Sequence, residues 1–244
     1  MKTIFKILLI SFILTSTFMI PVKGQFYYNI GYNAGFPKGL DSLNYIIDRY
    51  NETRNYLTEP MEHITFLDGF NFSTGFMYGP VLFELGYSAG IQRRYAEGVD
   101  FSQQLIRREL KVSTHSFDID LGLAFMKPSK GGIFLGGSFN LGIFNVKTRA
   151  GIADEIRKED WVKINPYDGF ICTFGLFARV FIGNPGFYIQ PYYQFTPGIV
   201  FNNDLTDVNK SINPYTYQND PSPLYTNGNV WGIKFGFTLN SIHK

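Results

Sequence analysis

Residues 231–239 alternate without a break. Trp231, Ile233, Phe235, Phe237 and Leu239 fall on one face; Gly232, Lys234, Gly236 and Thr238 fall on the other. A period of two predicts a strand with unlike faces. Here one face is large and aromatic and the other is small or polar. Seven more segments repeat the pattern. In 26–36, Phe26, Tyr28, Ile30 and Tyr32 oppose Tyr27, Asn29, Gly31 and Asn33. In 62–78, Phe66, Phe70, Phe72 and Phe76 oppose Gly69, Asn71, Ser73 and Gly75. In 81–92, Val81, Phe83, Leu85 and Tyr87 oppose Glu84, Gly86 and Ser88. In 104–126, Phe117, Ile119, Leu121 and Leu123 oppose Asp118, Asp120 and Gly122. In 132–148, Ile133, Leu135, Phe139 and Leu141 oppose Gly136, Ser138 and Asn140. In 170–183, Phe170, Cys172, Phe174 and Leu176 oppose Thr173, Gly175 and Arg179. In 187–201, Phe187, Ile189 and Tyr193 oppose Tyr188, Gln190 and Tyr192.

A soluble sandwich also alternates, with its apolar face inward. The repetition and the small polar face point elsewhere. Each apolar face has about the 9–11 residues that a tilted strand needs to cross a bilayer. Closing eight antiparallel strands leaves no unpaired edge in lipid. The connections fit the same reading. Tyr78-Gly79-Pro80, Lys127 to Gly131 and Gly183 to Gly186 are short, and they alternate with longer stretches near 37–61, 149–169 and 202–228. Between Ala96 and Gln103 the strands themselves are long. Short turns at one end and long loops at the other are the habit of outer-membrane barrels. The expected fold class is all-β: an eight-stranded antiparallel up-and-down transmembrane β-barrel, with a short helix in the first external loop.

Residues 1–24 read as a secretory leader. Lys2 and Lys6 precede the apolar run Ile7 to Ile20, Pro21 breaks it, and Val22-Lys23-Gly24 offers a cut ahead of Gln25. The expected domains are therefore a leader, 1–24, and a barrel, 25–244. No later run has 18 consecutive apolar residues, so no membrane helix is expected. Only 17% of residues are charged and 18% are aromatic, which excludes a disordered chain. One cysteine excludes a disulfide scaffold or a cysteine-based metal site. Without Lys2, Lys6 and Lys23 the net charge of +2 becomes −1, so no basic excess suggests nucleic acid.

With these strands and turns, the chain resembles the eight-stranded outer-membrane barrels of the OmpA/OmpX type. The Gln25 cut site and aromatic strands look most like the barrel proteins of Bacteroidetes. The resemblance covers 25–244 as a pattern. It implies an outer-membrane location, with both termini on the periplasmic side. Such barrels usually end on an aromatic residue; here Phe237 and Leu239 precede the tail Asn240 to Lys244.

Glu84, Asp118, Asp120, Arg179 and Lys234 share the inner face at similar heights. Unpaired charges there would be costly, so a cross-lumen network of three acids and two bases is expected. It would act as a plug in a lumen with room only for side chains, or as a gate or proton path. Leu40, Leu43, Ile47, Tyr50 and Leu57 recur at helical spacing, with Asp41 as a candidate cap and Pro60 beyond the end. Such a helix would cap the mouth, pack on a partner, or fold onto the barrel rim. Asp41-Ser42-Leu43 also looks like a short O-glycosylation motif of Bacteroidetes. Arg93, Arg94, Arg107, Arg108, Lys111, Lys147 and Arg149 gather at the external strand ends. They suit lipopolysaccharide phosphates, or pairing with Glu97, Asp100 and Glu109.

Asn202, Asn203, Asp204, Asp207 and Asn209 read as a solvated turn rather than a Ca²⁺ loop, since the EF-hand pattern is missing. Pro214, Pro221 and Pro223 with Tyr215, Tyr217 and Tyr225 suit a recognition loop or a lid. For an enzyme, the candidates are His63, His115 and His243. His115 and Ser116 are strand neighbours on opposite faces, so they cannot form a nucleophile–base pair. The expectation is a non-enzymatic outer-membrane barrel without cofactor or metal, a structural or accessory subunit of a larger outer-membrane complex. Its partners would be outer-membrane lipid, lipopolysaccharide and other outer-membrane proteins. The alternatives are a surface adhesion or ligand-binding barrel and a lipid A-modifying enzyme.

Overall fold

The computed structural model describes residues 25–125, 131–165, 169–183, 186–196, 203–214 and 224–240. Residues 1–24, on which the expected leader falls, 126–130 and 184–185, on which expected turns fall, and Asn202, Tyr215, Tyr217, Pro221, Pro223 and His243 lie outside the described residues.

Eight long strands form a meander that closes on itself. They are β1 (Gln25–Pro37), β2 (Leu67–Tyr78), β3 (Val81–Val99), β4 (Leu105–Ala124), β5 (Gly131–Ile152), β6 (Gly169–Gly183), β7 (Gly186–Phe195) and β8 (Val230–Asn240). Each pairs antiparallel with the next. Closure comes from β1 against β8, with Gly31 opposite Gly236 and Asn33 opposite Lys234. The fold class is the one the alternation predicts. No helix among the described residues is long and apolar enough to cross a membrane.

The two ends differ. Gly79, with φ +55°, carries the β2–β3 turn, a backbone shape that favours glycine. At the other end β3 and β4 run on as a ribbon, paired out to Val99 opposite Leu105. From Lys111 to that tip is about 20 Å at the usual strand rise. Strand β2 begins at Leu67, not at 62 as the alternation predicts. Residues 61–66 instead follow the first long loop, fixed by side chains. Asn51 accepts from the Met61 amide at 2.9 Å, Asn44 from Ile64 at 2.9 Å, and Gln92 from Thr65 at 3.1 Å.

In that loop, α1 spans Asp41–Glu52. The cap position is Leu40 and not Asp41. Asp41 lies inside the first turn, where its charge favours the helix dipole. Leu57 is outside the helix, in a short strand, Leu57–Glu59, that pairs with the top of β3. A second helix, α2 (Thr206–Ile212), packs beside α1. The leading residue Asp204 accepts from the Thr206 amide at 2.8 Å, and Asp207 pairs with Lys210 at 3.6 Å. These carboxylates serve the start and first turn of α2.

Polarity inverts along single strands. In the lower half of β4, Phe117, Ile119, Leu121 and Leu123 are exposed while Asp118 and Asp120 are buried. In its upper half, Leu110 and Val112 are buried while Arg107, Glu109 and Lys111 face outward. In β5, Leu141 and Ile143 are exposed, then Phe144 and Val146 are buried. The lower barrel is thus apolar outside and polar inside. The upper barrel is built like a water-soluble domain.

Candidate functional site

Three layers of side chains occupy the barrel, leaving a cavity of ≈ 70 Å³ lined by Leu40, Ser88, Asn140, Phe144 and Lys234 among others. At the short-turn end, Tyr27, Leu82, Phe134, Phe181 and Tyr188 form an aromatic floor. Glycines on the inner face make room for it. A Cβ at Gly31 would meet the Tyr188 hydroxyl at 2.7 Å, inside van der Waals contact.

Above the floor, four strands bring the charged side chains together. Arg179 of β6 holds Glu84 of β3 through both terminal nitrogens, the longer contact at 2.6 Å. It also reaches Asp120 of β4 at 3.2 Å and donates Nε to Gln190 of β7 at 2.7 Å. Lys234 of β8 donates to Asp118 at 2.7 Å. Asn29 donates to Glu84 at 2.8 Å, and Gln190 to Asp120 at 3.0 Å. All five charged residues are under a tenth exposed. Charges this buried need partners at hydrogen-bonding distance.

At the long-loop end the filling is apolar. Leu43, Ile46, Ile47 and Tyr50 of α1 and Val208 and Ile212 of α2 pack against Leu110, Val112, Phe144 and Val146 of the strands. The helix caps the mouth by entering it.

The seven basic residues do not form one group. Arg108 lies on the inner face with Leu110, its guanidinium 5.8 Å from the Tyr50 ring. Arg94 turns to the first loop, donating to the His63 carbonyl at 3.0 Å and reaching Glu62 at 3.5 Å. Arg107 is taken up by Glu97, with Glu109 at 3.9 Å. Arg149 pairs with Glu109 at 2.7 Å.

The rest align. Arg93 is opposite Lys111, Lys111 opposite Lys147, and Lys147 opposite Lys163. This is a row of four cations across adjacent strands, at one height, just above the exposed apolar belt. Trp161 lies beside it, 5.7 Å from Arg93, 5.6 Å from Lys111 and 4.5 Å from Arg149. Arg93, Lys111 and Lys147 have no carboxylate partner among the described residues. Like charges directly opposite one another destabilise a sheet. Burial, and then Arg93, Lys147 and Arg149, push the Lys111 ammonium below its usual value.

No family model matches the chain, and no curated protein matches it in sequence. Two structures of Ail are among the solved structures similar to it. The crystal structure of Ail, the attachment invasion locus protein of Yersinia pestis, has 11% identity and a TM-score of 0.40, covering 89% of this chain and 100% of that one. Ail in complex with the heparin analogue sucrose octasulfate has 10% identity and a TM-score of 0.37, with the same coverage.

The histidines stay apart. His115 Nδ1 is 2.6 Å from the Tyr87 hydroxyl on the outward face, whereas Ser116 donates inward to Asp118 at 2.8 Å. His63 pairs with Asp48 at 2.7 Å, half-exposed. Among the described residues no three His, Cys, Asp or Glu side chains are grouped to hold a metal.

Trp161 and Lys163 carry no periodic signal in the sequence, because Lys163 stands in a two-residue loop strand, Val162–Lys163, and Trp161 just before it. Gln190 and Asn29 were legible only as polar residues on an inner face. Their partnership with the charges depends on barrel closure.

Proposed function

We propose that this protein is a non-enzymatic outer-membrane barrel whose outer wall holds lipopolysaccharide phosphates. The observation that carries the proposal is the row Arg93–Lys111–Lys147–Lys163. It stands where the wall changes from apolar to charged, the height at which lipid headgroups meet a spanning barrel. Three of its cations lack carboxylate partners among the described residues. A phosphate beside the row would relieve their mutual repulsion through charge-assisted hydrogen bonds. On this reading the long-loop end is extracellular and the short turns are periplasmic.

Binding tests it directly. The full chain in detergent should bind bisphosphorylated lipid A more tightly than dephosphorylated lipid A. Neutralising Arg93, Lys111 and Lys147 with glutamine should remove the difference. Equal binding of both lipids by the unsubstituted chain would overturn the proposal.

A second reading makes the barrel an accessory subunit of a larger outer-membrane assembly. It is supported by the filled lumen, whose aromatic, charged and apolar layers leave the outer wall and loops as the working surfaces. Gentle extraction followed by mass spectrometry tests it. A stoichiometric partner is expected; a lone barrel would sink this reading.

A further inference from the structure

Another basic group sits away from the row, at the mouth. A pocket of ≈ 420 Å³ opens there between the first loop, the β3–β4 ribbon and α2. This is the size range of pockets for small ligands. Tyr50, 4% exposed, and Ala96 are its deepest residues. Tyr56, Arg54, Arg107 and Arg108 stand around them, and no acidic side chain among the described residues lines the pocket.

The three arginines differ in what they have left to give. Arg54 is fixed: it donates to the carbonyls of Tyr50 at 3.1 Å and Ile212 at 2.9 Å, tying α1 to α2. Its guanidinium lies 3.9 Å from the centre of the Tyr50 ring. Arg107 is met by Glu97 and Glu109. Among the described residues Arg108 meets Thr148, at 3.5 Å, and Tyr50. No carboxylate answers its charge among the described residues. Burial pushes the Tyr50 hydroxyl up, while Arg108 and Arg54 pull the other way. Tyr50 therefore stays neutral near pH 7 and supplies no counter-charge.

One uncommitted guanidinium calls for a monoanion. A planar fork matches a carboxylate through two parallel hydrogen bonds. Tyr56, 40% exposed at the rim, offers an apolar ring face with a polar tip, suited to a ring that has an apolar C–H face and a hydroxyl rim. The geometry points to a binding site for an acidic sugar residue, its carboxylate on Arg108 and its ring against Tyr56. This site is separate from the cation row, and its occupant is not the lipid phosphate proposed for that row.

Calorimetry on the full chain in detergent decides it, with methyl glucuronide, methyl glucoside and glucose 6-phosphate as probes. The glucuronide should bind at least roughly tenfold more tightly than the neutral glucoside, as an ionic bidentate contact requires. Arg108→Gln should abolish that preference and Arg108→Lys should reduce it. Each variant's gel shift on boiling reports whether it is folded. If Arg108→Gln fails to fold, Tyr56→Ala, at an exposed rim residue, should still weaken the glucuronide. The triple Arg93, Lys111 and Lys147 variant should bind glucuronide unchanged, which separates this site from the row. Equal affinity for glucuronide and glucoside, or full binding by folded Arg108→Gln, would overturn the proposal. Tighter binding of the phosphate would overturn the carboxylate assignment.

Discussion

Lys111 faces Lys147 directly across the β4–β5 ladder, with Arg93 and Lys163 continuing the line on either side. Two ammonium groups so placed repel, and Lys111 is held below its usual protonation range. A sheet stabilised for its own sake would not set four cations abreast.

Lys111→Gln should therefore stabilise the detergent-solubilised protein, by a few tenths of a kcal/mol up to about 1 kcal/mol, while weakening its hold on lipid A. The sign with pH follows. The unfolded chain keeps the Lys111 proton up to its ordinary value of 10.5, and the folded chain releases it earlier. Stability should rise with pH through that interval, and Lys111→Gln should remove this component. Urea unfolding at several alkaline pH values checks both.

Arg179→Met should cost about 3–5 kcal/mol, because Glu84 and Asp120 would remain buried without their cation. Adding Glu84→Gln should restore part of the loss. Thermal unfolding of the single and double variants measures the coupling. A double variant no better than the single would contradict the pairing.

Phe235→Arg should cost about 2–4 kcal/mol if Phe235 meets lipid near the midplane. Its neighbour Lys234 is buried inside. Refolding into vesicles, read by the gel shift on boiling, checks it. Full tolerance would reverse the assignment of faces.

Ile47→Ala should loosen the mouth while leaving the lower barrel closed. The side chain is fully buried among α1, α2 and the upper strands, and truncations of this kind cost about 2–5 kcal/mol. Limited proteolysis should cut the first loop sooner, while the boiled and unboiled gel bands still differ. Loss of both would mean that the two halves are not separable.

The alternation by itself determined the eight strands, their faces and their antiparallel order. Side-chain direction in a strand depends only on parity, so Phe235 outward and Lys234 inward could be read directly from the chain. A helix within 39–57 was legible from its own spacing, though its end at Glu52, ahead of Leu57, was not. What parity could not give was the change of surroundings along a strand. Asp118 and Leu110 share the inner face of β4, yet one meets Lys234 and the other meets α1. That difference exists only because α1 and α2 enter the mouth from loops far away in sequence. The basic residues taught the same lesson. Seven looked alike in sequence. Parity put Arg108 on the inner face, but tertiary structure set it beside Tyr50, spent Arg94, Arg107 and Arg149 on carboxylates, and aligned Arg93, Lys111 and Lys147 with Lys163 beside Trp161. Register between strands, and the carboxylates it brings within reach, are long-range properties that no local pattern encodes.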